Sequence, residues 1–531
     1  MNRQNAHRIG DRIGQVTPMV VGYTKRHFFT MHIVMASSEA IPFAKTGGLA
    51  DVAGTLPIEL SKRGHCCSVF LPAYRVSKHF LLEQPGSQFD ESVASVVIDL
   101  AGYPVHAWIH RVRLANCPVD FYLVDQPMFY DRQGLYEDSH GEFGDNCARY
   151  CFFSRAVVEA IERLELPIDI IHCHDWQTGL IPAYHRTQTN HHSWYRRCAS
   201  VMTIHNMAYQ GRFWGPDMAL TGLDNSYFHW EWMEYYGDLN LLKTGIAFAD
   251  ALTTVSPTYA RQIQSPPEGC GLEGVLSARA DRLFGIVNGI DDSIWNPATD
   301  PYLDHHFDVD TWKDGKKACK RSLQESLGLP VRPDVPVIGI VGRLAEQKGW
   351  DLILPLMHWW IEHRDVQWVI LGSGEQRYAD ALFQLATRRP DRVSLQTTFS
   401  DPLAHRIEAG ADLFLMPSLY EPCGLNQLYS LRYGAVPVVR STGGLADTVR
   451  DASEENIQQG IATGFVFEDY KPEALAHATD RALDIYSQAP EVWSKIVSAG
   501  MSQDWSWSKS AEAMLNVYEQ ARYLAKNDQR L

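Results

Sequence analysis

No stretch of this 531-residue chain approaches the roughly 20 consecutive apolar residues that a membrane-spanning helix needs. An excess of positive charge is missing too. The 48 Lys and Arg stand against 63 Asp and Glu, a net charge of -15, which argues against general binding to nucleic acid or anionic membranes while leaving room for local basic sites. The ten cysteines form no CxxC pair, and a chain of this size does not depend on disulfide staples. A reducing cytoplasm is therefore the expected compartment, and packing the expected role of the thiols. Residues 1–30 are polar and mildly basic, contain Asp11, and lack the apolar centre and small-residue cleavage site of a secretory leader. They read as an extension, either a disordered arm or a segment upstream of a true start at Met31. Gly269, Gly271 and Gly274 have dinucleotide-loop spacing but follow Ser265-Pro266-Pro267 and a helical stretch instead of a strand, which discounts a dinucleotide site.

What the chain does contain is organised around residues 31–56, MHIVMASSEAIPFAKTGGLADVAGTL. The apolar run 33–36 predicts a short buried strand, Lys45-Thr46-Gly47-Gly48 a turn, and Leu49, Val52, Ala53 and Leu56 a helix face. Glycines let a backbone approach a ligand closely, and the free amides of a helix start favour an anion. Lys45 adds a mobile positive charge. Thr442-Gly443-Gly444-Leu445-Ala446-Asp447 repeats this loop after the apolar run 436–439. Two such turns predict two similar α/β halves with a charged ligand between them. The alternative is a pair of unrelated glycine turns that only allow close helix–strand packing. The length also suits two domains. Aromatic residues make up 11% of the chain, with 15 Trp, which suits stacking on sugars and equally suits core filling.

In the first half, a helical pattern at 145–164 leads to a strand at 168–172 ending in His172-Cys173-His174-Asp175-Trp176, and a strand at 200–204 runs into His205-Asn206. Open parallel sheets bind ligands at the carboxyl ends of their strands, so Asp175 and its neighbours are site candidates. His172 and His174 lack a third placed donor for a metal, and packed or substrate-facing roles are preferred. His205 is either a satisfied core residue or a site residue. Asn288-Gly289-Ile290-Asp291-Asp292 opens a Pro-rich polar stretch to His306 that marks a domain boundary. In the second half, strands are expected at 335–341, 366–371, 393–397 and 411–416. The first ends in Gly342-Arg343-Leu344 with Lys348 just beyond. Unless they are mere surface charge, Arg343 and Lys348 supply two fixed cations of the kind a diphosphate leaving group needs. The last ends in PSLYEPCGLN, residues 417–426. Glu421 there either caps a helix or bonds sugar hydroxyls and steadies positive charge at an anomeric carbon. A helical stretch at 511–524 is expected to return and brace the first domain.

With these motifs assembled, the chain resembles the bacterial glycogen synthases and plant starch synthases. The resemblance rests on KTGGLADV (45–52), HCHDWQ (172–177), IHNMAYQG (204–211), VSPTYA (255–260), VNGID (287–291), GRLAEQKG (342–349), EPCGLNQ (421–427) and TGGLADTV (442–449). It implies an α/β protein of GT-B form, two Rossmann-like domains facing a central cleft. The expected division is an acceptor-side domain at 31–290, a nucleotide-sugar domain at 291–505 and a returning helix at 506–531. The implied reaction transfers glucose from ADP-glucose to the non-reducing end of an α-1,4-glucan with retention of configuration, with no metal and no cofactor, and with no nucleic-acid or membrane partner.

On matched positions the resemblance implies that Lys45 and the Gly47/Gly48 loop meet the donor, and that Arg343 and Lys348 neutralise its diphosphate. Asp175, His205, Asn206 and Asn288 surround the transferred glucose. Glu421, with the backbone of Cys423 and Gly424, holds the glucose hydroxyls, and Thr442, Gly443 and Gly444 form the second substrate loop. Phe399 falls where relatives place a tyrosine against the adenine, so stacking would be kept and a phenolic hydrogen bond lost. Asn426 replaces the threonine of many bacterial relatives. Asp308-Val309-Asp310 has the DxD spacing of metal-dependent glycosyltransferases, but it lies past the linker and away from a strand end, as a solvated loop would. The rivals are a phosphorylase carrying pyridoxal phosphate on a lysine, a non-catalytic glucan binder, and an oxidoreductase resting on the discounted glycine motif.

Overall fold

Nine strands of the first domain are ordered by which of them can be buried on both faces. In the computed structural model, which describes residues 30–82, 86–188, 191–196, 198–398 and 400–527, the central strands His32–Ala36, Ile170–His174, Ala199–Ile204 and Ala251–Thr254 are buried along almost their whole length. That pattern requires helices on both faces and parallel pairing. The sheet runs Leu283–Gly285, Ala251–Thr254, Ala199–Ile204, Ile170–His174, His32–Ala36, Cys66–Pro72, Asp120–Asp125, Tyr103–Arg113, Gln88–Leu100. All pairs are parallel except the last two. That edge hairpin turns at Ala101 and Gly102, both with positive φ (53° and 89°), the geometry whose twist matches a two-residue hairpin. The expectation for the N-terminal extension falls on residues outside those described, apart from Thr30.

The second sheet is wholly parallel, in the order Val393–Gln396, Gln367–Leu371, Val337–Val341, Leu413–Met416, Val436–Arg440, Phe465–Phe467. One face carries a core with Trp350, Trp360 and Trp368 at 0–1% exposure, and the other a smaller cluster around Val337, Phe414 and Leu445. The segment after residue 291 is anchored to this half, because the Trp295 ring stacks on His405 and on Tyr429, each at 3.7 Å between centroids.

The helix Trp507–Asn527 lies on the first domain, against the strand Ala199–Ile204 and the helix Gly48–Lys62. Its Tyr518 hydroxyl meets His172 Nδ1 at 2.9 Å, and Ser510 Oγ donates to the Val287 carbonyl at 2.7 Å. Where the chain crosses between halves, the outgoing and returning segments lie side by side. The Ile290 amide donates to the Trp505 carbonyl at 2.8 Å, and Ile290 pairs with Ser506. Among the described residues, no helix is long and apolar enough to cross a membrane.

Candidate active site

Each sheet has one place where successive connections leave in opposite directions, and such a place opens a crevice at the strand carboxyl ends. In the first sheet it lies between His32–Ala36 and Ile170–His174, and in the second between Val337–Val341 and Leu413–Met416. The residues that follow those four strands are the Lys45 loop, Asp175, Arg343 with Lys348, and Glu421. Topology alone thus assembles the charged candidates in two groups. The groups meet, since a Cβ built on Gly48 would lie 3.7 Å from Leu425 Cδ1 of the opposite domain.

The first loop is arranged differently from the anion cradle expected of it. Thr46 N and Gly47 N both donate to Glu39 Oε2, and Thr46 Oγ1 donates to Glu39 Oε1 at 2.6 Å. Tyr136 OH adds a further bond to Oε1 at 2.6 Å. Glu39, 4% exposed, therefore takes amides that were expected to be free for a ligand. The physical reason is local. A carboxylate three residues past the strand end faces the start of Gly48–Lys62, where no side chain caps the helix, and orphan amides there attract negative charge. Lys45 remains the loop's open charge. Its side chain is 52% exposed and bonds Asp51 Oδ1 at 2.8 Å. Burial raises the Asp51 carboxyl above its usual range against the pull of Lys45.

The strand expected at 168–172 runs instead over Ile170–His174, so His172 and His174 lie within the sheet, fully buried, and do not emerge beyond it. Their neighbours explain the shift. His172 Nε2 bonds Thr203 Oγ1 at 2.6 Å and Nδ1 bonds Tyr518, so a polar residue is satisfied inside the core. Asp175 is the first residue past the strand, held at φ 55°, a region a non-glycine side chain rarely adopts. His205 N donates to its Oδ1 at 2.7 Å. Burial pushes the Asp175 carboxyl up to about 7, against the backbone amides of His205 and Asn206, and the nearby Glu39 adds to the rise.

His205 Nε2 lies 3.0 Å from His174 Nδ1, and burial keeps both rings neutral, with His205 lowered to about 3. His174 Nε2 is buried with no hydrogen-bond partner. An orphaned N–H is costlier than an orphaned lone pair, so the His174 proton sits on Nδ1 and donates to His205. That leaves Nδ1–H as the donor of the His205 ring. Asn206 keeps its side-chain oxygen on the Ala208 amide at 3.0 Å.

In the second domain, Lys348 Nζ donates to Glu421 Oε2 at 2.6 Å, and Ser418 Oγ donates to the same oxygen at 3.0 Å. Glu421 is 7% exposed. Arg343 is exposed and bonds Gln347 Oε1 at 2.9 Å, while Gln347 Nε2 holds the Tyr420 carbonyl at 2.9 Å. Asn426 Nδ2 donates to the Val341 carbonyl at 2.6 Å, tying the start of the helix Asn426–Tyr433 to the strand that carries Arg343. No side chain caps that helix, which leaves its first turn suited to an anion. The Cys423 thiol bonds the backbone of Asn288 and is pushed up to about 12, chiefly by burial.

Thr442, Gly443 and Gly444 form no open cradle. Gly444 N donates to the carbonyls of Glu421 and Pro422, both at 3.1 Å, and Gly443 N to Gln262 Oε1 at 3.0 Å. A Cβ on Gly443 would stand 1.9 Å from the Glu421 carbonyl oxygen, and one on Gly444 2.0 Å from that of Cys423. Here the close approach that glycine permits is to protein backbone. Phe399 lies outside the described residues. The DxD segment is a turn in which Asp308 Oδ1 accepts from the Asp310 and Thr311 amides.

Several contributing residues escaped the sequence reading. Glu39 was visible only as an acid just past a strand end at the switch point. Tyr420 of the second domain lies near Tyr209 of the first and near Arg343, and Tyr259 lies near both Asp175 and Tyr420. Gln427 is buried and holds the carbonyls of Cys423 and Gly424 at 3.1 and 3.0 Å.

The model of a starch synthase catalytic domain matches residues 32–278, and that of glycosyl transferases group 1 matches residues 326–496. A glycogen synthase of Rhodopirellula baltica is 46% identical over 508 residues, 94% of this chain and 99% of that protein. One of Syntrophotalea carbinolica is 45% identical over 493 residues, 92% and 99% of the two chains. Among solved structures, the catalytic domain of starch synthase IV from Arabidopsis thaliana, bound to ADP and acarbose, is similar at a TM-score of 0.83 and 31% identity, covering 93% of this chain and 100% of that one. Sucrose-phosphate synthase from Thermosynechococcus elongatus, with a TM-score of 0.55 and 17% identity over 92% of this chain and 98% of its own, shares the GT-B fold. Facing switch points, paired cations at one strand end and relatives alike along almost the whole length lead to one statement: the chain belongs to the glycogen and starch synthase family of glycosyltransferases.

Proposed function

We propose that the cleft transfers glucose from ADP-glucose to the non-reducing end of an α-1,4-glucan with retention of configuration. The observation that carries this reading is the charge layout at the second switch point. Lys348 is held on Glu421, with Arg343 a few residues away on the same strand end. Breaking the donor bond builds negative charge on the departing diphosphate, which Arg343, Lys348, Lys45 and the uncapped start of Asn426–Tyr433 offset. Positive charge builds on the glucose, beside Glu421 and Asp175. The departing phosphate oxygen takes the acceptor proton on the same face of the sugar, so no side chain carries a covalent glucose.

His205, Asn206 and Asn288 surround the glucose, and Glu421 with the backbone of Cys423 and Gly424 holds its hydroxyls. Gly47 and Gly48 let Lys45 approach the donor. Of the loop Thr442, Gly443 and Gly444, it is Gly444 that acts from behind, its amide holding the carbonyls of Glu421 and Pro422. We assign the acceptor side to residues 31–290, the donor side to 291–505 and the brace to 506–531. The adenine nucleotide is supported by the ADP of the similar starch synthase IV structure, and a cytoplasmic setting by ten cysteines that all stand free. The test is release of ADP against UDP from their glucose conjugates, with and without glycogen, for wild type, Lys45→Ala and Glu421→Ala. Glycogen-dependent ADP release, lost by at least roughly a hundredfold in both folded variants, is expected. Release independent of glycogen, or a covalent glucosyl–Glu421 adduct, overturns the mechanism.

A further inference from the structure

In the second TGGLAD segment the Gly443 and Gly444 amides are taken by protein acceptors, and the segment touches both domains. Its Asp447 reaches the first domain at the start of the helix Pro257–Gln262, which follows the strand Ala251–Thr254. Thr258 N donates to Asp447 Oδ2 at 2.9 Å and Thr258 Oγ1 to Oδ1 at 2.6 Å, and Ser256 Oγ donates to Oδ2 while accepting from Tyr259 N. Gln262 Oε1 accepts from Gly443 N at the other end of the same helix. On its opposite side the segment grips the Glu421 turn. Gly444 N bonds the carbonyls of Glu421 and Pro422, and Thr448 Oγ1 accepts from Gln427 Nε2, which also holds Cys423 and Gly424. The first copy does nothing comparable, since its Asp51 bonds Lys45 of its own loop.

We propose that Asp447 is a positioning residue: by capping Pro257–Gln262 it registers the Glu421–Lys348 pair of the second domain against the strand ends of the first that carry Asp175 and His205. Asp447 touches no reacting atom in this assignment. It fixes the relative placement of groups that do, and reaction rates depend steeply on such placement. A cleft held out of register also admits water, so part of the glucose is lost to hydrolysis. The inference rests on the glucosyl-transfer reading above.

The test compares wild type with Asp447→Asn, Asp447→Ala, Thr258→Val and the Asp447→Ala/Thr258→Val double variant. Three quantities are measured: kcat, the KM for ADP-glucose, and the ratio of ADP released without glycogen to ADP released with it. We expect kcat to fall roughly ten- to a hundredfold in Asp447→Ala, the hydrolysis ratio to rise, and the KM to change far less. Asp447→Asn, which keeps one acceptor, should recover part of the loss. Thr258→Val should reproduce a smaller loss that is not additive with Asp447→Ala. An unchanged hydrolysis ratio with only a lowered Tm, or strictly additive losses, overturns the proposal. Should Asp447→Ala fail to fold, Thr258→Val and Asp447→Asn carry the same two readouts. Inactive wild type would sink the transfer reading itself; active wild type with indistinguishable variants would sink only this one.

Discussion

Asp175 is a residue of the candidate site whose protonation the fold alters. Burial raises its carboxyl from 3.8 to about 7, so the folded chain keeps a proton that the unfolded chain has already released. Its contribution favours the fold at low pH and is lost as pH rises through that window, by up to roughly 1.4 kcal/mol per pH unit. Asp175→Asn removes the slope while keeping an acceptor for the His205 amide. Denaturant unfolding at a series of pH values should show the variant gaining on wild type between pH 4 and 7 and holding a constant lead above. A second expectation concerns the neighbouring ring: nitrogen NMR of labelled histidine should place the His205 proton on Nδ1, and His174→Phe should return it to a mixture of tautomers. Both outcomes depend on what surrounds a side chain. The sequence singled out Asp175 and His205 as candidates because they follow buried strands, but it could not show that His174 stays inside the sheet, since the hydrogen-bonding partner of its ring, His205, is 31 positions away.

At the scale of the element, the Lys45 loop shows how a pattern can be legible and its use hidden. Strand, glycine turn and helix all lie where the apolar spacing places them. The occupant of the amides is set by Glu39 and Tyr136, and Tyr136 is 97 residues from Glu39 in sequence. Glu39→Ala should free the Thr46 and Gly47 amides, and hydrogen exchange there should quicken about tenfold or more, the scale of losing bonds to a charged acceptor. Lys45→Ala should leave those amides protected, because Lys45 bonds Asp51 instead. The echo at 442–447 correctly signalled a second strand-to-helix turn. Equal surroundings did not follow from equal letters, because the carbonyls of residues 421–423 fill the space that Gly47 leaves open.

For the whole molecule, the two-domain plan was readable from length, the repeated loop and the polar stretch after Asn288, whereas the strand order was not. The returning helix has a measurable role: its Tyr518 hydroxyl satisfies His172 deep in the first sheet. Tyr518→Phe leaves that imidazole nitrogen unpaired and should cost about 1–3 kcal/mol in denaturant unfolding, while Tyr523→Phe, at an exposed ring, should cost nothing measurable. The paired crossings at Ile290 and Trp505 have a mechanical consequence. A body joined to another by two adjacent tethers swings about the line through them but resists sliding and twisting, like a book on its spine. Any motion that admits a bulky polymer end must then spread the fore-edge while the binding stays shut.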